Sequence, residues 1–264
     1  MKIGFIGCGN MGGALASAAA KSGNEILLAD NMAEKCEQLA KKIGAAVSDN
    51  ESVCRECDYI FLGVKPQVLF SLLGDIAPVV SARNKKAIFV SMAAGCTAAQ
   101  VSSALGSAPV IRIMPNTPVG IGKGVIAYCG NEHTSEDDIN NFLKFMDAAG
   151  TLEFVSEELI DAATVVSGCG PAFVYMFIKA LADGGEKCGL SAEKALKLAA
   201  ATVSGAAENL MQSEMSVDEL IKAVCSPGGS TIEGVRHFEQ NGLNELVLKA
   251  TEKSFNRTKE LGKK

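Results

Sequence analysis

The segment GFIGCGNMGGALA, Gly4 to Ala16, sets Gly7, Gly9 and Gly12 in G-x-G-x-x-G spacing between an apolar β-run, KIGFIG, and a helical stretch from Met11 to Lys21. A chain with that arrangement is committed to a strand, a tight turn and a helix packed close together. Gly7 permits the turn, Gly9 lets bare backbone approach a pyrophosphate, and Gly12 lets helix and strand touch, with the helix N-terminus facing the anion. An acid, Asp30, ends the next strand at roughly the spacing of a ribose contact. The unit reads as a dinucleotide cradle, against the alternative of a glycine turn shaped by packing alone. A carboxylate that accepts from the adenosine 2′-hydroxyl would repel a 2′-phosphate, which favours NADH. Asn31 follows, however, and Lys35 lies within reach, so the strand end could tolerate phosphate. Asp30 could also be a plain cap for the helix from Met32.

The same rhythm continues to about Glu157. EILLAD, a charged helix from Met32 to Ile43, DYIFLGV, KAIFVSM, APVIRIM, GVIAYC and TLEFV alternate β-rich runs with helical stretches. Such alternation is the signature of βαβ units and a doubly wound, mostly parallel sheet. Beyond Glu157 the β-runs stop and alanine-, leucine- and lysine-rich stretches take over, among them PAFVYMFIKALADGGEKCGL and NELVLKATEKSFNRTKEL. Several are apolar over more than a narrow stripe, so one helical layer leaves them uncovered. The expected organisation is an α/β dinucleotide-binding domain, residues 1–157, and an all-helical domain, residues 158–264, that dimerises.

With 48% hydrophobic residues in 264, both cores can be built. The net charge of −5 is spread out, with no basic stripe to neutralise phosphates, so nucleic acid is not expected as a partner. The first strand begins at Lys2, leaving no room for a leader, and no unbroken apolar run looks long enough to span a bilayer. The cytoplasm, with no membrane partner, is the expectation. Nine cysteines, an odd number scattered singly as Cys8, Cys96, Cys129 and Cys169, suggest reduced, buried thiols. The CREC pair, Cys54 and Cys57, has no second pair or histidine nearby and reads as structural; no metal is expected.

Further loops follow strands on the carboxyl edge, where ligands of open α/β sheets lie. GVKPQV carries Val64, Lys65 and a stiffening Pro66, and SMAAGC carries Ala93 and Ala94. In RIMPNTPVGIGKG, Asn116 could donate to a cofactor or hold the turn itself. CSPGGSTIEG, Cys225 to Gly234, stands apart. Gly228 and Gly229 can let their amides converge on an anion at a helix N-terminus, and Ser226, Ser230 and Thr231 add hydroxyls. That suits the carboxylate of a small substrate without any charged side chain; a simple capping turn is the alternative. VVSGCGPAFVYMF, Val165 to Phe177, reads as close helix packing. Cys169 has no histidine to activate it, since only His133 and His237 exist and both read as solvated.

Together GFIGCGNMG, GVKPQV, RIMPNTP, VSGCGPAFVY, ALADGG and SPGGSTIEG resemble the pyrroline-5-carboxylate reductase family, in its order and spacing over the whole chain. The resemblance implies a Rossmann domain followed by a helical domain that interlocks with its twin in a homodimer, often assembled into a ring. It implies hydride transfer from NADPH or NADH to 1-pyrroline-5-carboxylate, giving L-proline. Gly7, Gly9, Asn10, Met11 and Gly12 match the pyrophosphate loop, and Asn50 the contact near the adenosine ribose. Val64, Lys65 and Pro66 match the cofactor-flanking loop, and Ala93 and Ala94 the nicotinamide-side loop. Amides of Gly228, Gly229 and Ser230, with Ser226, would hold the substrate carboxylate while Thr231 bonds the ring nitrogen. Asp30 departs from relatives that prefer the phosphorylated cofactor, which usually show serine, asparagine or arginine there. Rival readings are a β-hydroxyacid-dehydrogenase-like reductase, for which Lys179 followed by Asp183 does not fit, and a non-catalytic dinucleotide sensor, which would not need the second anion loop.

Overall fold

The computed structural model describes residues 1–261; the last residues of the expected helical region, 262–264, lie outside them. Among the described residues eight strands form one sheet, β1 (Lys2–Ile6), β2 (Glu25–Ala29), β3 (Ala46–Val47), β4 (Tyr59–Leu62), β5 (Ile88–Ser91), β6 (Val110–Pro115), β7 (Gly124–Gly130) and β8 (Gly150–Phe154), in the order β3-β2-β1-β4-β5-β6-β7-β8. Every pairing is parallel except β6 with β7. The doubly wound, mostly parallel sheet expected from the alternating runs is what forms.

Strand residues alternate between two apolar layers, as period-two geometry demands. Ile3, Phe5, Leu28, Tyr59, Phe61 and Val90 face one side, where α1 (Asn10–Ala20), α2 (Ala33–Ile43) and α6 (Glu136–Met146) pack. Ile6, Leu27, Ile60, Leu62 and Phe89 face the other, beneath α3 (Asn50–Glu56), α4 (Pro66–Ser81) and α5 (Ala98–Ala104). Burial on both faces explains why these strands read as unbroken apolar runs. Phe5 stacks on Phe61 at 4.3 Å between ring centroids, and the fully buried Tyr59 donates its hydroxyl to the Asp138 carbonyl at 2.8 Å. Each such ring contributes roughly 1.5–3 kcal/mol by burial.

The chain divides into two compact units, one of residues 1–171 with the terminal residues from Ser254, the other of residues 172–253. The second unit is wholly helical, formed from α8 (Gly170–Lys187), α9 (Ala192–Gln212), α10 (Val217–Val224), α11 (Ser230–Gln240) and α12 (Leu243–Leu261), the first and last of which run on beyond it. Its buried centre is small, Ala182, Ala195 and Ala199 with Ile178 against them. Tyr175, Met176, Leu198, Leu246 and Leu248 are exposed.

Two expectations need correction. Glu157–Lys187 is one continuous helical run, through α7 (Ile160–Ala163) and into α8, long and apolar enough by length and composition to cross a membrane. Within it Thr164–Gly168 is a π turn, with the Cys169 amide donating to the Thr164 carbonyl at 3.0 Å, and Pro171 sits at the second position of α8 where its missing N–H costs little. Cys8, Cys96 and Cys129 are buried as expected, but Cys169, at the exit of that π turn, is only half-buried.

Candidate functional site

Because β1, β2, β4, β5 and β6 are parallel, their carboxyl ends and following loops share one edge of the sheet. There Gly7 adopts a left-handed φ of +96° and its amide donates to the Ala29 carbonyl at 2.8 Å. A Cβ on Gly12 would collide with the Gly7 carbonyl oxygen, whereas a Cβ on Gly9 would meet no atom of the described residues within 4 Å. Gly9 is the N-cap of α1 with no side-chain cap and no acid in the first turn. The N-cap thus supplies no side-chain acceptor to the first-turn amides, and the open space over Gly9 is where an anion fits. Asn10 is exposed on the first turn, while Met11 turns its side chain onto the core.

The Asp30 carboxylate is held before any ligand arrives. One oxygen accepts from the Cys8 amide at 2.5 Å, the other from the Met32 amide at 2.8 Å. It thus fastens the glycine loop to the end of β2 and also serves the helix start, so the capping and ribose readings of this residue are compatible. Beside it lies a cavity of about 310 Å³ lined by Gly7, Asp30, Asn31, Asn50, Val64 and Asp75, among others. Gly7, Asp30, Asn50 and Val64 are brought together as the sequence suggested. Gly9 and Asn10 line a separate groove of about 700 Å³ along α1 and α2, with Lys21, Lys35 and Lys42. Lys65 is exposed as the N-cap of α4 with Pro66 next, and Ala93 is buried beside exposed Ala94 after β5. Burial pushes the Cys8 thiol up to about 12.

Asn116 holds its turn. Its side-chain oxygen accepts from the Val125 amide at 2.8 Å and its amide group donates to the Ser167 carbonyl, also at 2.8 Å, in the π turn. Sequence reading passed over a charged cluster nearby. Arg112, 5% exposed at its side chain on β6, pairs with Glu157 at 3.3 Å and Asp161 at 3.6 Å, and Glu157 also accepts from the Ala98 amide at the start of α5. The signal was present: an arginine inside an apolar β-run must find acids or leave its charge buried.

In the helical unit, the SPGGST segment joins α10 to α11. Gly228 takes a φ of +70°, and the Gly229 amide donates to the Ser226 carbonyl at 3.0 Å. That amide closes the turn, so the expectation that it faces a ligand is corrected. A Cβ on Gly229 would crowd the Ser226 hydroxyl, which explains the second glycine. Gly229 is the N-cap of α11, again without a side-chain cap. Ser226, Gly228, Ser230 and Thr231 are exposed around first-turn amides that have no carbonyl one turn back. The same bare geometry thus occurs twice, before α1 and before α11.

Other candidates resolve as structural. Cys54 and Cys57 are buried, their thiols pushed up to about 12 by desolvation, and the Arg83 guanidinium donates to both their carbonyls. Lys179 is paired with Asp183 at 2.7 Å along one helix face.

Comparison with known proteins agrees with this layout. A family model described as pyrroline-5-carboxylate reductase dimerisation matches residues 157–261, and one described as NADP oxidoreductase, coenzyme F420-dependent, matches residues 2–95. A pyrroline-5-carboxylate reductase of Methanosarcina acetivorans is 36% identical over 269 residues, spanning 100% of this chain and 98% of the relative. Among solved structures, a pyrroline-5-carboxylate reductase from Coxiella burnetii superposes with a TM-score of 0.92 at 32% identity, covering 98% of this chain and 97% of that one. The Plasmodium falciparum pyrroline carboxylate reductase with NADP bound gives 0.86 at 32% identity, covering 99% of each chain.

Proposed function

The chain belongs to the pyrroline-5-carboxylate reductase family, and from that membership we infer that it reduces the C=N bond of 1-pyrroline-5-carboxylate with NADPH or NADH, giving L-proline in the last step of proline biosynthesis. The observation that carries the reading is the second bare helix N-terminus, SPGGST before α11, in a chain that already has a dinucleotide loop. A dinucleotide sensor has no use for it. A substrate with a carboxylate does.

In this reading the amides of Gly228 and Ser230, with the Ser226 hydroxyl, receive the carboxylate, Gly229 shapes the turn, and Thr231 bonds the ring nitrogen. The reduced dinucleotide, when bound, supplies the hydride. Gly7, Gly9, Asn10, Met11, Gly12, Asp30, Asn50, Val64, Lys65, Pro66, Ala93 and Ala94 hold it along the edge of the sheet. As the new C–H bond forms at the imine carbon, the C=N electron pair passes to a nitrogen that already carries its proton. The chain therefore needs to orient and to complement charge, with no strong acid or base. Residues 1–157 serve as the dinucleotide domain and 158–264 as the substrate and dimerisation domain. The exposed apolar side chains of the helical unit are covered by a second copy, with dimers joining into a ring, and the enzyme works in the cytoplasm.

Thr231→Ala tests the assignment. It is expected to bind dinucleotide as the wild type does and to lose roughly 10–100-fold in kcat/KM for the imine, the effect of one hydrogen bond to a charged group. Unchanged turnover would remove Thr231 from the reaction.

A further inference from the structure

We propose that the Asp30 carboxylate makes this enzyme discriminate against the 2′-phosphate, so that NADH is its tighter-binding cofactor. The inference rests on the reductase reading and deepens it by choosing between the two dinucleotides.

Three observations carry it. First, the carboxylate is fixed: its oxygens accept from the Cys8 amide at 2.5 Å and the Met32 amide at 2.8 Å. It cannot swing away from an incoming anion without releasing the glycine loop. Each oxygen keeps a lone pair, which is what two ribose hydroxyls require. Second, the cavity beside it contains a second acid, Asp75, and among the described residues that line it there is no lysine, arginine or histidine. The polar company of Asp30 there is Asn31, Asn50 and Ser71, suited to hydroxyls rather than to a dianion. Third, Lys35, the nearest cation in sequence, lines the other groove along α1 and α2 with Lys21 and Lys42. At the end of the second strand of such a fold, an acid meets the ribose 2′-hydroxyl, whereas a 2′-phosphate calls for a base.

The repulsion between a fixed carboxylate and a phosphate dianion a few ångströms away is worth at least about tenfold in affinity even at water-like screening. It weakens as salt rises. The test uses the full-length protein, whose lack of tryptophan leaves nicotinamide fluorescence unobscured. Dissociation constants for NADH and NADPH are measured at low and high salt for the wild type, Asp30→Asn and Asp75→Asn. NADH is expected to bind at least about tenfold more tightly, with the ratio shrinking in salt and narrowing severalfold in Asp30→Asn. Asn cannot accept from both amides, so both affinities fall in that variant and the ratio is what is read. Asp75→Asn leaves the loop clamp intact and is expected to narrow the ratio less. NADPH binding as tightly as NADH to the wild type, or a ratio unmoved in Asp30→Asn, would overturn the proposal. Failure of the wild type to bind either dinucleotide would instead overturn the reductase reading beneath it.

Discussion

Single atoms decide what the glycines do, and the two key positions separate cleanly. A methyl on Gly12 meets the Gly7 carbonyl, so Gly12→Ala is expected to cost on the order of 1–3 kcal/mol in denaturant unfolding. A methyl on Gly9 meets no atom of the described residues within 4 Å but fills the space over the helix N-terminus. Gly9→Ala should therefore leave stability within about 0.5 kcal/mol and weaken dinucleotide binding more than tenfold. A stability loss in Gly9→Ala equal to that in Gly12→Ala would show that the space is not a ligand site. The buried thiols give a pH dependence. Burial raises Cys8, Cys54 and Cys57 from 9.0 to about 12 and Cys129 to about 11. The unfolded chain gives up these protons near pH 9 while the folded chain keeps them. The stabilisation is thus complete below about pH 9 and lost as pH rises through 11 to 12. Melting temperature should fall steadily over that alkaline range, and replacing Cys54 by Ser should change its slope.

At the scale of elements, strands and helices were legible where period and context agreed. KIGFIG, EILLAD and DYIFLGV form strands because both faces are covered, and the glycine spacing marked the turn into α1. The π turn at Thr164–Gly168 was not legible, because its small residues read only as close helix packing, while the donor that meets the Ser167 carbonyl there comes from the distant Asn116 side chain. The occupied Gly229 amide was likewise invisible, since sequence shows which residues can form a nest but not which amide closes the turn. Asp30 was legible by position, while its grip on Cys8 was not. The Arg112 cluster ties β6, the start of α5 and α7 to one another. Arg112→Met would leave two partly shielded acids side by side. It is expected to destabilise by about 2 kcal/mol or more, measured by urea unfolding, and Glu157→Gln by less, since it keeps an acceptor for the Ala98 amide. Equal, negligible effects would make the cluster a surface feature.

The whole molecule is divided between a unit with a large core on both faces of a sheet and a helical unit whose buried centre is three alanines. Such a unit needs another surface to cover Tyr175, Met176, Leu246 and Leu248. Light scattering should give a mass at least twice the 27.4 kDa of one chain, and Met176→Glu, at a position 72% exposed in the lone chain, should shift it toward the monomer. The central claim is the proposed reaction itself: a reduced dinucleotide gives its hydride to the C=N bond of 1-pyrroline-5-carboxylate. The most direct measurement supplies NADH deuterated at the transferring position together with 1-pyrroline-5-carboxylate, and follows the product by mass spectrometry. The account predicts proline carrying a deuterium at the former imine carbon, formed in step with cofactor oxidation. Oxidation without labelled proline, or no imine-dependent oxidation from folded protein that binds the dinucleotide, would contradict it.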